Sequence, residues 1–259
     1  MASGEHRTSA AFFDLDGTLI PGSANIPLAR AAFRAGFMAP SELMRDLING
    51  LSFVLKGATD ERSAQVRDRI LLAVKGHPAS EVEALGNDFM PKVVASLRPT
   101  MRVVLDEHGA AGDDRVVLSA SPTEIVARFA TEVGMEYGIG TTSERDTNGV
   151  FTGKLAGPFC YKEGKAEVMR QLAAQHGYDL TKCYAYSDSM SDLPMLRAVG
   201  HPKVVNPEPE LRELATNQGW EIIETSSVPR VKLKSPRGLA QLIRNLVKAI
   251  TGKLFGHRD

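Results

Sequence analysis

Short apolar runs along the chain alternate with longer stretches in which apolar positions recur every three or four residues. The first run, Ala10 to Asp14, stays uncharged until its last residue, which predicts a strand covered on both faces. The run Arg115-Val116-Val117-Leu118 predicts a second strand. Met135–Gly140, Cys183–Tyr186, Lys203–Asn206 and Trp220–Ile223 predict further short ones. Helical spacing falls between them. One helix runs from Pro122, suited to a first turn, to Val133. Others cover Lys162–His176, Leu193–Ala198 and Pro207–Thr216. Asp146-Thr147-Asn148-Gly149 carries the Asn-Gly pair of a tight hairpin turn. Strands alternating with helices predict an α/β fold with a doubly wound parallel sheet.

One long stretch breaks this alternation. From Ile26 to Leu97 the periodicity is helical throughout. A first run through Ala29, Phe33 and Phe37 ends at Pro40, and a second spans Ser41 to Phe53. A third, Asp60–Val74, places Val66, Ile70 and Val74 on one face; a fourth starts at Ser80 and turns Val82, Leu85, Phe89 and Val93 inward. Four helices inserted after a single strand predict a helical cap. The expected division is a core of residues 1–21 and 98–225, a cap of 22–97 and a tail of 226–259. In that tail Leu239, Leu242, Ile243, Leu246, Val247, Ile250 and Leu254 form one apolar stripe, with Arg244, Lys248 and Lys253 off it.

Composition narrows the picture without deciding it. At 259 residues, 43% of them apolar and 24% charged, the chain has enough material for a sizeable core. Its 31 basic and 31 acidic residues cancel, so no global field draws nucleic acid. The balance is local: Val231–Asp259 holds seven Lys/Arg against one Asp, leaving the remainder acidic by six. Cys160 and Cys183 stand in no CxxC pattern, which argues against a disulfide framework or zinc site. No stretch approaches the ~20 apolar residues of a membrane span. A cytoplasmic protein is expected, with a peripheral position at the inner membrane face if the basic tail helix binds lipid.

The chemistry concentrates where predicted strands end. Asp14 and Asp16 share one side of the chain because side chains alternate along a strand. Two carboxylates so placed repel unless a cation or a proton intervenes, which points to Mg²⁺, to acid/base work, or to both. Ser119 and Ser121 follow the second strand, and Asp188 and Asp192 follow Cys183–Tyr186. In open α/β sheets ligands bind at the carboxyl ends of strands, so the three clusters share a pocket if their strands are neighbours. Other readings of these motifs fail on spacing. Asp14-x-Asp16-Gly17 has its glycine too early for a calcium loop, Gly157 to Lys165 is too long for a P-loop, and Gly134, Gly138 and Gly140 miss the dinucleotide fingerprint. The histidines show no partner pattern and are expected on the surface or in loops.

Taken in order, Asp14-Leu15-Asp16-Gly17-Thr18, Ser119, Lys165 and Asp188 with Asp192 resemble the four motifs of the haloacid dehalogenase-like superfamily, in its phosphoserine-phosphatase-like branch. The resemblance covers about Ala11 to Ile223 and implies a Rossmann-like core, one Mg²⁺ and phosphoryl transfer through an aspartyl phosphate. By the same resemblance Asp14 is the nucleophile and Asp16 the acid/base, its backbone carbonyl joining Asp14 and Asp188 as metal ligands. Thr18 would hold Asp16; Thr18, Ser119 and Ala120 lie in the phosphate-binding part. Lys165 would stabilise the transferring group, and Asp192 would bind a metal water or hold Lys165.

The pattern departs from the branch in places. Phosphoserine-specific members carry a glutamate where this chain has Ser23, and Ser187, Ser189 and Ser191 replace two glycines and an asparagine. In the cap, Ser23 and Arg69 are the candidate substrate contacts, with Arg67 an equal alternative to Arg69. The expected activity is Mg²⁺-dependent hydrolysis of a small phosphomonoester, by a monomer or dimer. A lysophosphatidate-type substrate at a membrane surface, a phosphotransferase and a non-catalytic phospho-ligand binder remain alternatives.

Overall fold

The computed structural model describes residues 7–37 and 60–225. The second predicted cap helix, the side chain of Arg69 and the amphipathic tail all lie outside the described residues. Strand β1 (Ala10–Asp14) is followed by helices α1 (Asn25–Arg34), α2 (Asp60–Val74), α3 (Ala79–Ala95) and α4 (Pro99–Ala111). Then come β2 (Asp114–Pro122), α5 (Thr123–Val133), β3 (Tyr137–Thr141), β4 (Ser143–Arg145) and β5 (Phe151–Leu155). The rest alternates as α6 (Glu163–His176), β6 (Tyr184–Ser187), α7 (Leu193–Arg197), β7 (His201–Val205), α8 (Pro209–Gln218) and β8 (Glu221–Ile223).

Six strands form one parallel sheet in the order β3-β2-β1-β6-β7-β8. The first strand is therefore central, as its unbroken apolar run requires. Its two faces serve different cores. Ala11 and Phe13 join Val117 and Tyr186 against residues of α3, α4 and α5, whereas Ala10 and Phe12 join Val116, Ala185 and Val204 against α6, α7 and α8. Phe12 and Phe13 are both fully buried, worth about 2–3 kcal/mol each in apolar area.

Helix α4 lies in a segment where the pattern had suggested no element. Met101 and Leu105 face inward, Pro99 opens the first turn and Gly112 closes the helix at φ 85°. This helix also overturns the expectation that the histidines are superficial. His108 is buried between Asp113, 2.7 Å from its Nδ1, and the Tyr186 hydroxyl, 2.7 Å from its Nε2. Elsewhere the differences concern boundaries: β2 continues through Pro122, so α5 starts at Thr123.

Of the four helices expected in the insert, the three within the described residues are present as α1, α2 and α3. The predicted Asp146–Gly149 turn joins β4 to β5, with Asp146 Oδ1 accepting from the backbone of Asn148 and Val150 at 2.9 Å each. That hairpin grips the insert. Phe151 donates to His77 O at 3.0 Å and accepts from the Gly76 N–H at 2.9 Å, while its ring packs among Val74, Ala79 and Val82. Among the described residues no helix is long and apolar enough to cross a membrane.

Candidate active site

The sheet places β2, β1 and β6 side by side, so the three polar clusters foreseen at their ends do converge. Successive strands are added on one side of β1 up to β3, after which the chain crosses to the other side at β6. This reversal beside β1 is where α/β sheets open their ligand crevice. Asp14 ends β1 in register with Leu118, one residue short of Ser119, and Asp188 directly follows β6.

Lys165 is the hub. It projects from the first turn of α6, only 3% exposed, and its Nζ donates to Asp14 Oδ1 at 2.7 Å and to Asp192 Oδ2 at 2.8 Å. The Ser187 hydroxyl also donates to Asp192 Oδ2, at 2.7 Å, while Asp192 Oδ1 is buried with no hydrogen-bond partner among the described residues. On the far side of Asp14, the Thr18 hydroxyl lies 3.2 Å from Asp14 Oδ2 and 3.4 Å from Asp188 Oδ1. Burial, the opposing pull of Lys165, and repulsion from Asp192 and Asp188 together leave the Asp14 carboxyl well above its usual range. Burial works against the Lys165 ammonium, but Asp14 and Asp192 more than reverse that and raise it.

Asp16 is held from another direction. Ser23 donates to its Oδ2 at 2.7 Å and the Ala24 N–H to its Oδ1 at 2.9 Å. Burial raises the Asp16 carboxyl, with the Ala24 and Ser23 bonds opposing. These contacts correct one expectation: the Thr18 hydroxyl is hydrogen-bonded to Asp14 and Asp188 and not to Asp16. The Ser23 hydroxyl, a candidate substrate contact, donates to Asp16. The turn between these residues depends on Gly17, at φ 90°, where an added Cβ would stand 2.2 Å from Asp188 Oδ2.

Ser119 is buried and its Oγ accepts from the Ser121 N–H at 3.2 Å; the Ser121 hydroxyl donates to Asn25 Oδ1 of α1 at 3.0 Å. Ala120 lines a cavity shared by insert and core, with Arg67, Leu71, Thr141 and Phe159. There the Arg67 guanidinium lies 5.6 Å from the Phe159 ring centroid and its Nε donates to Asp68 at 2.7 Å. Asn25 and Ala24 are contacts outside the motifs. Asn25 and Ala24 were legible only as the start of a helix. Lys162, just before α6, sits at φ 50° and ψ −125°, a conformation that costs a non-glycine residue about 1–3 kcal/mol.

The donor set suits a hard divalent cation. Asp14 and Asp192 share the buried Lys165 ammonium, and Asp188 stands close enough to Asp14 to repel its charge, so carboxylate oxygens crowd one buried place. The bare Cα of Gly17 leaves room for the Asp188 carboxylate. Among the described residues no three His, Cys, Asp or Glu side chains gather as a metal cluster. A Mg²⁺ ion held by two carboxylates and a backbone carbonyl, with water completing its shell, needs no such triplet.

The sequence matches the model of the haloacid dehalogenase-like hydrolases over residues 11–197. It is 35% identical over 236 residues to a probable phosphatase of Mycobacterium tuberculosis, an alignment covering 91% of this chain and 82% of that protein. The phosphoserine phosphatase SerB1 of the same organism is 34% identical over 217 residues, 83% of this chain and 70% of its own length. A histidinol-phosphatase of Neisseria meningitidis is 30% identical over 224 residues, covering 82% and 97%. Among solved structures, a protein of unknown function from Bordetella pertussis superposes with a TM-score of 0.73 at 32% identity, covering 84% of this chain and 98% of that one. A substrate-bound phosphoserine phosphatase shares the fold, with a TM-score of 0.60 at 18% identity, covering 93% and 99%.

Proposed function

The chain belongs to the haloacid dehalogenase-like hydrolases and is a phosphatase of that family, and we propose that it is a Mg²⁺-dependent phosphomonoesterase working through an aspartyl phosphate. The observation that carries this reading is the buried Lys165 ammonium shared between Asp14 and Asp192, with Thr18 linking Asp14 to Asp188.

Each residue has a role its surroundings support. An Asp14 oxygen attacks phosphorus, and the bond from phosphorus to the leaving oxygen breaks. Asp16 gives that oxygen a proton, then takes one from the water that attacks the phosphoryl group; phosphate leaves and Asp14 is restored. Lys165 orients Asp14 and sets a fixed positive charge against the equatorial oxygens of the transferring group. Ser119 and the backbone beside Ala120 supply donors to phosphate oxygens. Asp192 holds Lys165 in place. Asp14, Asp188 and the Asp16 carbonyl would hold Mg²⁺, which supplies the counter-charge that lets a carboxylate approach a phosphate dianion.

The substrate is a small phosphomonoester. Ser23, committed to Asp16, leaves no anion there for a substrate ammonium, which argues against strict phosphoserine specificity. The activities named for SerB1 and for the Neisseria protein make phosphoserine and histidinol phosphate the first members of a test panel, followed by sugar phosphates, nucleotides and lysophospholipids. Phosphate release with Mg²⁺, lost with chelator and lost in Asp14→Asn at an unchanged melting temperature, is the expected result. Full activity in Asp14→Asn overturns the mechanism. No release across the panel favours a phospho-ligand binder on the same fold, and transfer to an added alcohol favours a phosphotransferase.

A further inference from the structure

Arg98 is a buried arginine that the chemistry above does not use. It stands where the chain returns from the insert to the core, one residue before α4, and is 8% exposed. Its contacts converge on the turn that follows Asp16. The Arg98 backbone N–H donates to Leu19 O at 2.9 Å, and Nη2 of its side chain donates to Gly17 O at 3.1 Å. Both carbonyls flank Thr18, the residue that bridges Asp14 and Asp188.

The guanidinium is itself anchored. Nη1 donates to Thr225 Oγ1 at 2.8 Å, and Thr225, also buried, is held by Asn206, whose Oδ1 accepts from the Thr225 N–H at 2.9 Å. Asn206 directly follows β7 and takes a left-handed φ of 43°, a conformation asparagine tolerates better than most residues. A planar fork with two donors on separate nitrogens is the geometry that can reach both partners at once; an ammonium on a flexible stem cannot reproduce it.

We infer that Arg98 is a positioning residue of the phosphatase, fixing the Gly17–Thr18 peptide, with Thr225, just beyond β8, as its anchor outside the loop. The turn's own backbone bonds stay within residues 15–22, including Ile20 N–H to Leu15 O at 3.1 Å. Gly17 has no side chain to pack, and its N–H is directed to Ile20 O and Gly22 O within the same loop. Rotating the Gly17–Thr18 peptide would carry Thr18 away from Asp14 and Asp188. An anchor outside the loop holds it from a residue that bonds none of Asp14, Asp16 and Lys165. The catalytic part of this inference rests on the function proposed above; the mechanical part does not.

The test uses the full chain and three variants. Thr225→Val keeps the shape and removes the acceptor, Thr225→Ser restores it, and Arg98→Lys keeps the charge and loses the fork. Hydrogen exchange of a peptide spanning residues 15–22 reads the turn directly, whatever the protein hydrolyses. Exchange there is expected to rise at least about 10-fold in Thr225→Val and Arg98→Lys, and to stay near wild type in Thr225→Ser, with the central strands unchanged. With a generic aryl phosphate and saturating Mg²⁺, kcat is expected to fall about 10- to 100-fold in the same two variants, KM staying within about twofold. Unchanged exchange at 15–22 overturns the anchor. Faster exchange with wild-type kcat overturns the positioning role, as does a loss that Thr225→Ser fails to restore. A wild-type protein that hydrolyses nothing removes the proposed function, and the exchange experiment still decides whether Arg98 fixes the turn.

Discussion

Replacing Gly17 by alanine separates two costs that are usually confounded, because the fold supplies a control. Gly17 (φ 90°) and Gly219 (φ 67°) both occupy the left-handed region, so alanine at either carries a backbone penalty of about 1–2 kcal/mol. Around Gly219 an added Cβ meets nothing within 4 Å, whereas at Gly17 it would stand 2.2 Å from Asp188 Oδ2 and 2.6 Å from Asp188 Cγ. The carboxylate must therefore retreat by about 1 Å to reach ordinary contact, a shift of the size that costs about 100-fold when it misplaces a reacting group. Both variants are expected to lose similar stability in urea denaturation. Gly219→Ala keeps wild-type kcat and Mg²⁺ dependence. Gly17→Ala loses about 100-fold in kcat and needs about 10- to 100-fold more Mg²⁺ for half-maximal rate. Equal activities in the two variants would refute the claim that Asp188 is fitted against the bare Cα of Gly17.

Lys165→Met leaves Asp14 and Asp192 buried without their ammonium, and breaking such a pair costs about 3–5 kcal/mol. Because burial and neighbouring carboxylates already push Asp14 up, the loss is greatest at neutral pH and shrinks as acid protonates it; urea midpoints at pH 7 and pH 5 measure this. A loss independent of pH would mean that packing, not charge, dominates. Glu136 is a different case: burial works against its charge, but the Arg115 guanidinium and backbone N–H, with Arg7, hold it down at about 2. A depressed carboxylate stabilises above its unfolded value and loses that contribution as pH falls toward the folded one. Glu136→Gln should therefore cost about 1 kcal/mol at pH 7 after solvent screening, the gap closing progressively below about pH 4.5 in thermal melts.

Much of the architecture was legible because it follows from local rules. A short run uncharged up to its last residue, as Ala10–Asp14 is, suits a strand covered on both faces, and the sheet puts it in the centre. The Asn148-Gly149 pair turns the chain where its backbone preferences dictate. Helix α4 was missed for an equally physical reason. Its buried residues Met101, Leu105 and His108 are spaced for a helix, but exposed Val103 and the polar Glu107 blur the stripe, and histidine does not read as a core residue. The Asp113 and Tyr186 partners that make His108 tolerable inside come from other elements, and no local pattern announces them.

The site divides the same way. Asp14, Lys165, Asp188 and Asp192 were legible as residues, since strand ends and motif order fix their chemistry; which atoms they touch was not. Thr18 is the instructive case. One helical turn's worth of sequence separates it from Asp14 and two residues from Asp16, so proximity alone favours Asp16, yet its hydroxyl lies between Asp14 and Asp188. At Gly17 the backbone takes a left-handed φ, and beyond it the Thr18 hydroxyl lies by Asp14 and Asp188, while Ser23 and Ala24 hold Asp16. The two acidic residues thus go to different partners. The nucleophile candidate is held by the core through Lys165, and the acid/base candidate by the first residues of the insert. In the proposed mechanism the leaving group would lie between the two, and the first residues of the insert would hold the carboxyl that protonates its departing oxygen.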